Sequence, residues 1–251
     1  MVLLNERQRA LLAELETSRQ ATVSRLSRIL FASPATIRRD LAILAENGYL
    51  QRVRGGAVCN LEQNMDTPLY LRMNRDIQEK AKIGRTAGKL LKDGMTLFLD
   101  SSTTVSHMCA EIVKHRGITV ITNNVGVFTG LTDAPNVRTI FCGGEVYLGA
   151  YTFSQNALEM VRGYYADMMF FSCAGVSAEN QVSDKEERVV AMKQEMLRNS
   201  RERILLCTGS KLGTTAYCKL CDLDLPDRVI CDIADERLFD FFSEERIMVD
   251  E

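Results

Sequence analysis

An α/β chain in two unequal parts is predicted by three features of the sequence. Residues 22–58 hold two short amphipathic helices joined by a tight turn and followed by a basic glycine hairpin. From residue 76 onward, short apolar strands alternate with helix-like segments, the pattern of a mainly parallel sheet covered by helices. Charge divides at the same place. Residues 1–60 carry nine arginines against five Asp or Glu, whereas the remainder of the chain carries 22 basic and 28 acidic residues. The overall net charge of −2 therefore hides an N-terminal part that alone suits a polyanion. The domain division read from these features is 1–60, a linker over 61–75, and 76–251.

The first helix of the pair spans Thr22 to Leu30, with Val23, Leu26, Ile29 and Leu30 at steps of three and four on one apolar stripe. Phe31 and Ala32 make the turn. Ser33-Pro34 restarts a helix, because a serine hydroxyl accepts the orphan amides of a first turn and proline tolerates the first helical position. In that second helix Ile37, Leu41 and Leu44 face inward, which leaves Ala35, Thr36, Arg38 and Arg39 at the N-terminal surface, where a recognition helix reaches a groove. Asn47-Gly48 stops the helix, and Tyr49 to Val53 alternates before Arg54-Gly55-Gly56-Ala57 turns the chain back as a wing. All nine basic residues here are arginine, whose planar fork suits phosphate oxygens and the N7/O6 edge of guanine. A plain helical bundle with a solvated basic face is the other reading of these residues, and it leaves the hairpin unexplained.

The run Ser33-Pro34-Ala35-Thr36-Ile37-Arg38-Arg39-Asp40-Leu41, followed by Gly48-Tyr49-Leu50 and Arg54-Gly55-Gly56-Ala57, resembles the signature of the DeoR-type bacterial transcriptional regulators. The resemblance extends over the rest of the chain. It implies a winged helix-turn-helix that docks on an operator in double-stranded DNA, with Ser33, Ala35, Thr36, Arg38 and Arg39 toward the groove and Arg52, Arg54 and Gly55 in the wing.

Composition agrees with two domains. A chain of 251 residues, 46% apolar and 25% charged, buries one large core and one small one. Glu6 and Arg7 come almost at once, and no run approaches eighteen apolar residues, which argues against secretion and membrane insertion. The eight cysteines lie mostly in apolar stretches, where a free thiol packs as a small hydrophobe, so reduced thiols and a cytoplasmic location are expected. Cys218-Lys219-Leu220-Cys221 is the exception, a lone C-x-x-C with His107 and His115 far off in sequence. It fits two incidental thiols and also a zinc or redox switch; no metal and no cofactor are assigned.

Leu61 to Asn74 lacks periodicity and reads as the linker. A helix over 76–91 then leads into strands near 95–99, 118–122, 137–142, 168–174, 203–207, 228–231 and 246–249, with helices near 105–115, 154–163 and 186–200. In such a sheet a ligand sits beyond the carboxyl ends of the strands. Four of those loops stand out. Asp100-Ser101-Ser102-Thr103-Thr104 opens a helix with several hydroxyls and unpaired amides, which fits a cradle for a phosphate dianion and equally a cap that binds nothing. Lys211, within Thr208-Gly209-Ser210-Lys211-Leu212-Gly213, is placed either against a phosphate oxygen or in solvent. Gly143-Gly144-Glu145 and Asn123-Asn124 are weaker signals, because such residues are common in turns.

The order of these loops is similar to the DeoR-type effector domain, whose fold is related to ribose-5-phosphate isomerase and glucosamine-6-phosphate deaminase. That resemblance implies a phosphorylated sugar held by Ser101, Ser102, Thr103, Thr104 and Lys211, with Asp100 and Asn123 contacting or orienting the sugar and Gly143, Gly144 and Glu145 beside it. It also implies a homodimer or homotetramer, in line with two-fold symmetric operators. The chain departs from the family where an acidic residue commonly stands four before a lysine: Glu186 and Glu187 stand seven and six before Lys193, so that role is not carried over. Tyr151-Thr152-Phe153-Ser154 is also unlike the common form. Two other functions compete with a sugar-responsive regulator, probed respectively by turnover and by bound zinc. A sugar-phosphate isomerase or deaminase needs a positioned acid/base pair, for which Asp100 and Glu145 are the loop carboxylates. A thiol or metal sensor would use Cys218 and Cys221.

Overall fold

The structure is a computed structural model that describes residues 5–46, 49–58, 69–177, 179, 181–233 and 236–249. The chain divides into two compact units, Met1–Arg72 and Met73–Glu251.

The N-terminal unit begins with α1 (Glu6–Ser18), a helix not anticipated from the sequence. A capping box starts it: Asn5 Oδ1 accepts from the Gln8 amide at 2.9 Å, and Gln8 Oε1 accepts from the Asn5 amide at 3.1 Å. After β1 (Gln20–Thr22) come α2 (Val23–Ile29) and α3 (Pro34–Glu46), then the wing strands β2 (Gln51–Val53) and β3 (Gly56–Val58). Ser33 Oγ accepts from the Thr36 amide at 3.1 Å, the cap expected for α3. The anticipated stop at Asn47-Gly48 lies outside the described residues.

Leu11, Leu12 and Leu15 of α1 join Leu26, Ile37, Leu41, Leu44, Leu50 and Ala57 in one small core. Ile29, expected on the apolar stripe, is 40% exposed instead, because α2 turns only its Val23 and Leu26 edge onto that core. The sheet order β1-β3-β2 puts β3 in the centre, and a Cβ on Gly56 would lie 2.2 Å from the Ala21 carbonyl oxygen. Only glycine lets β3 approach β1 so closely.

A short helix α4 (Leu69–Asn74) occupies a stretch expected to be linker, and residues 61–68 lie outside the described residues. The larger unit then runs α5 (Ile77–Gly88), β4 (Thr96–Leu99), α6 (Thr103–Ser106), α7 (Cys109–Ile112), β5 (Ile118–Thr122), α8 (Val125–Leu131) and β6 (Val137–Phe141). A hairpin of β7 (Glu145–Tyr147) and β8 (Tyr151–Phe153) precedes α9 (Gln155–Arg162), β9 (Ala166–Phe171), β10 (Gly175–Ser177) and β11 (Gln181–Asp184). The last elements are α10 (Glu187–Arg198), β12 (Ser200–Cys207), β13 (Cys218–Asp222), β14 (Arg228–Cys231) and β15 (Ile247–Val249).

Seven parallel strands form the main sheet in the order β15-β14-β12-β9-β4-β5-β6, and they are the seven strands expected from the sequence. Side chains alternate across it as strand geometry requires. Leu97, Leu99, Met168, Phe170, Ile204 and Leu206 join a core with residues of α5 to α8. Phe98, Met169, Phe171, Leu205 and Cys207 join a second core with α9 and α10 on the other face. Near-continuous apolar strands buried on both faces are the signature of such a three-layer unit. Sheet order also locates the site. From β4 the chain steps outward through β5 and β6, then returns to β9 on the opposite side and steps outward through β12, β14 and β15. The crevice between β4 and β9 is therefore the topological switch point, where a ligand is expected beyond the strand ends.

Candidate nucleic-acid interface and effector crevice

In the N-terminal unit, α3 presents Ser33, Ala35, Arg38 and Arg39 exposed and Thr36 half-buried, while Ile37 and Leu41 anchor its other face. The Ser33 and Thr36 hydroxyls lie 2.8 Å apart. Arg52, Arg54 and Gly55 are exposed on the wing, where Gly55 takes a φ of 85° that favours glycine. Its carbonyl accepts from the Val23 amide at 2.8 Å, which ties the wing turn to the start of α2. Among the described residues none of Arg38, Arg39, Arg52 and Arg54 is held in an ion pair, in contrast to Arg7 and Arg25, which pair with Asp40 and Glu14. An open cleft runs between Ser24, Ser27 and Arg28 of α2, Pro34 and Arg38 of α3 and Gly55 of the wing.

Two parts of this surface escaped the sequence reading. Ser24, Ser27 and Arg28 stand at helical spacing beside the Val23 and Leu26 stripe, a signal that was available but unused. Asp40 sits in the middle of the recognition helix and is 4% exposed. It accepts from Arg7 Nε at 2.6 Å and from Gln8 Nε2 at 3.2 Å, so its work is to dock α1 on α3.

In the larger unit the switch point carries a dense polar network. Asp100 is fully buried, and its carboxylate accepts from the Ser102 amide at 2.9 Å and from the Ser172 amide at 2.9 Å. Lys193 Nζ lies 2.8 Å from the same carboxylate and 2.7 Å from Asp184, and donates to the Ser172 carbonyl at 2.6 Å. Burial drives a lysine toward its neutral form, but Asp100 and Asp184 together outweigh it and hold Lys193 above its ordinary value, so it is a fixed cation. Lys193 was not carried over from the sequence, because no acidic residue stands four before it; its carboxylate partners follow β4 and end β11.

Lys211 is half-buried, and its Nζ donates to Ser172 Oγ at 2.7 Å. Ser172 thus links Lys211 to Asp100 and to the loop that follows β4. In that loop Ser102 Oγ caps α6 by accepting from the Val105 amide at 3.2 Å, Thr104 is buried, and Ser101 is 7% exposed. The two asparagines after β5 divide their roles. Asn124 Oδ1 caps α8, and its Nδ2 donates to the Asp100 and Ser102 carbonyls at 2.9 Å each. Asn123 donates to the Thr152 carbonyl at 2.8 Å, while its buried Oδ1 has no hydrogen-bond partner among the described residues. An unpartnered buried acceptor is costly unless something else satisfies it.

Gly143, Gly144 and Glu145 are not joined to this network by a described contact. A Cβ on Gly144 would lie 2.4 Å from the Phe153 carbonyl oxygen, so this glycine has a packing reason at the base of the β7–β8 hairpin, whereas a Cβ on Gly143 would meet open space. The exposed Glu145 accepts from the Tyr147 hydroxyl at 2.6 Å. Tyr147 stacks on Tyr151 at 5.6 Å and carries the Arg188 guanidinium 4.4 Å over its ring, which fastens the hairpin to the start of α10.

Cys218 and Cys221 lie on β13, three residues apart on a strand and hence on opposite faces. Cys221 is buried, and burial pushes its thiol up to about 12; Cys218 is half-exposed. Among the described residues no cluster of His, Cys, Asp and Glu is arranged to hold a metal ion, and no helix is long and apolar enough to cross a membrane.

Comparison with known proteins bears on both sites. Residues 7–63 match the DeoR-like helix-turn-helix domain, and residues 75–233 match the DeoR C terminal sensor domain. The chain is 30% identical to the HTH-type transcriptional regulator GolR of Listeria innocua, over 90% of each chain. It is 30% identical to the HTH-type transcriptional repressor GlcR of Bacillus subtilis, over 92% of each. The L-fucose operon activator of Haemophilus influenzae is 29% identical, over 91% of this chain and 92% of that one. Among solved structures, a ribose 5-phosphate isomerase A from Methanocaldococcus jannaschii is similar over 55% of each chain at a TM-score of 0.41 and 16% identity, too loose a likeness to bear on activity.

Proposed function

The chain belongs to the DeoR family of transcriptional regulators, and from that premise we propose that it is a cytoplasmic repressor of a carbohydrate-metabolism operon, controlled by a phosphorylated sugar bound at the β4/β9 crevice. The observation that carries the effector reading is the convergence of Lys211, Ser172 and the 100–104 loop at the switch point, beside the unpartnered Asn123 Oδ1. Lys211 and the amides of that loop suit a phosphate, and Asn123 Oδ1 suits a sugar hydroxyl. Asp100 acts by orientation, because its carboxylate already holds two amides and Lys193.

On DNA, Ala35, Thr36, Arg38 and Arg39 meet base edges in the major groove, and Arg52, Arg54 and the α2 cleft with Arg28 meet phosphates. Two copies of the chain are needed to match a two-fold operator, so the working form is at least a dimer. The effector acts by binding one arrangement of the paired DNA-binding units better than another.

A thermal-shift screen of phosphorylated sugars against their unphosphorylated counterparts tests the effector reading. A ligand at about a hundred times its dissociation constant stabilises by about 2.7 kcal/mol, a rise of about 5–11 °C at this chain length. One phosphorylated sugar is expected to shift the wild type and not Lys211→Ala. A set of sugar phosphates that shifts neither protein would refute it. Arg39→Ala tests the DNA reading, with an expected loss of about 1–3 kcal/mol in operator binding.

A further inference from the structure

The turn between α2 and α3 contains a residue that its own unit does not use. Phe31 has a φ of 49°, in the left-handed region that residues with a Cβ rarely enter, and its side chain is 98% exposed. The turn around it is well held. The Leu30 amide donates to the Leu26 carbonyl at 2.9 Å, the Ala32 amide donates to the Ser27 carbonyl at 3.1 Å, and the Ser27 hydroxyl donates to the Ala32 carbonyl. An aromatic ring is thus fixed outward, at a backbone position that would suit glycine or asparagine better.

Its surroundings point to what the ring meets. Phe31 follows Arg28 by three residues and precedes Pro34 by three, and both of those line the cleft that Arg38 also borders. Arg28, Arg38 and Arg39 are all exposed within eight residues of Phe31, and that concentration of positive charge suits a polyanion better than the apolar surface of a second protein copy. The arginines supply fork-shaped donors for phosphate and guanine, but no apolar surface. In the major groove the thymine C5-methyl is the apolar mark on the base edges, and phenylalanine is among the side chains that read it.

We propose that Phe31 packs against a thymine methyl in each operator half-site, beside the bases reached by the start of α3, and so specifies a T·A pair that the arginines leave unread. This rests on the operator-binding reading given above.

In vitro selection from random duplexes with the full chain tests it, using wild type, Phe31→Ala and Phe31→Asn. Asparagine tolerates the left-handed turn, so Phe31→Asn keeps the fold and is expected to melt no lower than wild type. Each thymine of the selected duplex is then replaced by deoxyuridine, which removes the methyl alone. Wild type is expected to lose about fourfold in affinity at one thymine per half-site, the equivalent of one buried methyl group. Both variants should be indifferent to that replacement and should select sequences without the thymine. Wild-type affinity and an unchanged selected sequence for Phe31→Asn would overturn the proposal. So would a variant that changes the mass of the protein in solution while binding the operator normally, because the ring would then serve a contact between copies. A wild type that selects no sequence at all defeats the operator-binding reading itself, and is distinguishable from either result.

Discussion

Replacing Lys193 by methionine tests the network at the switch point most directly. The substitution keeps most of the side-chain volume and removes a cation that is 3% exposed and stands 2.8 Å from Asp100 and 2.7 Å from Asp184. Two carboxylates are left without their shared counter-charge, one of them fully buried. Breaking a buried ion pair in this way costs about 3–5 kcal/mol, chiefly because of the uncompensated charge left behind. At about 2–4 °C per kcal/mol for a unit of this size, the melting midpoint should fall by about 6–20 °C. Asp184→Asn should cost less, about 1–3 kcal/mol, since Asp100 still faces the lysine. If the two act as one unit, the double variant should cost less than the sum of the singles by about 0.5–3 kcal/mol. Urea unfolding followed by circular dichroism measures all three. A Lys193→Met variant within about 1 kcal/mol of wild type, or single costs that add within about 0.5 kcal/mol, would refute the reasoning.

Gly56→Ala should destabilise the N-terminal unit by at least about 1–3 kcal/mol, because the new methyl meets the Ala21 carbonyl, whereas Gly55→Asn should be tolerated in open space at its left-handed φ; thermal melts of the two variants separate a steric demand from a conformational one. Burial, with Lys80 nearby, holds the half-buried His107 below the ordinary histidine value. The unfolded chain therefore takes up the proton first, so this contribution is fully present above about pH 6.5 and is lost as pH falls through the folded value. His107→Gln should lose less stability than wild type between about pH 7 and pH 5, and equal slopes would contradict it. Burial pushes Cys109, Cys142 and Cys231 to about 11 and Cys221 to about 12. In native protein at about pH 8, iodoacetamide should label the half-exposed Cys218 before these four, as mapped by mass spectrometry. Labelling of Cys221 ahead of Cys218 would show that β13 is not seated as described.

The sequence by itself determined the kind and position of the main-sheet strands and of the α2–α3 helix pair, while α1, α8 and the β7–β8 hairpin were not anticipated. All seven strands of the main sheet fall within a few residues of their expected places, since strands buried on both faces leave unbroken apolar runs between turn residues. Ser33-Pro34 marked the start of α3, because a cap is a local hydrogen bond between residues three apart. Leu69–Asn74 shows the converse, a short helix with too few turns to leave a period in the sequence. Only the tertiary structure decided which distant residues meet. Lys193 finds its partners 93 and nine positions back along the chain, and Lys211 reaches Ser172, 39 positions back. Asp40, one charge among the arginines of the recognition helix, proves to be a buried dock for α1. Sheet order turns strand ends that are far apart in sequence into neighbours at the β4/β9 crevice. Local periodicity records which face of an element is apolar, and carries no record of which other element will cover it.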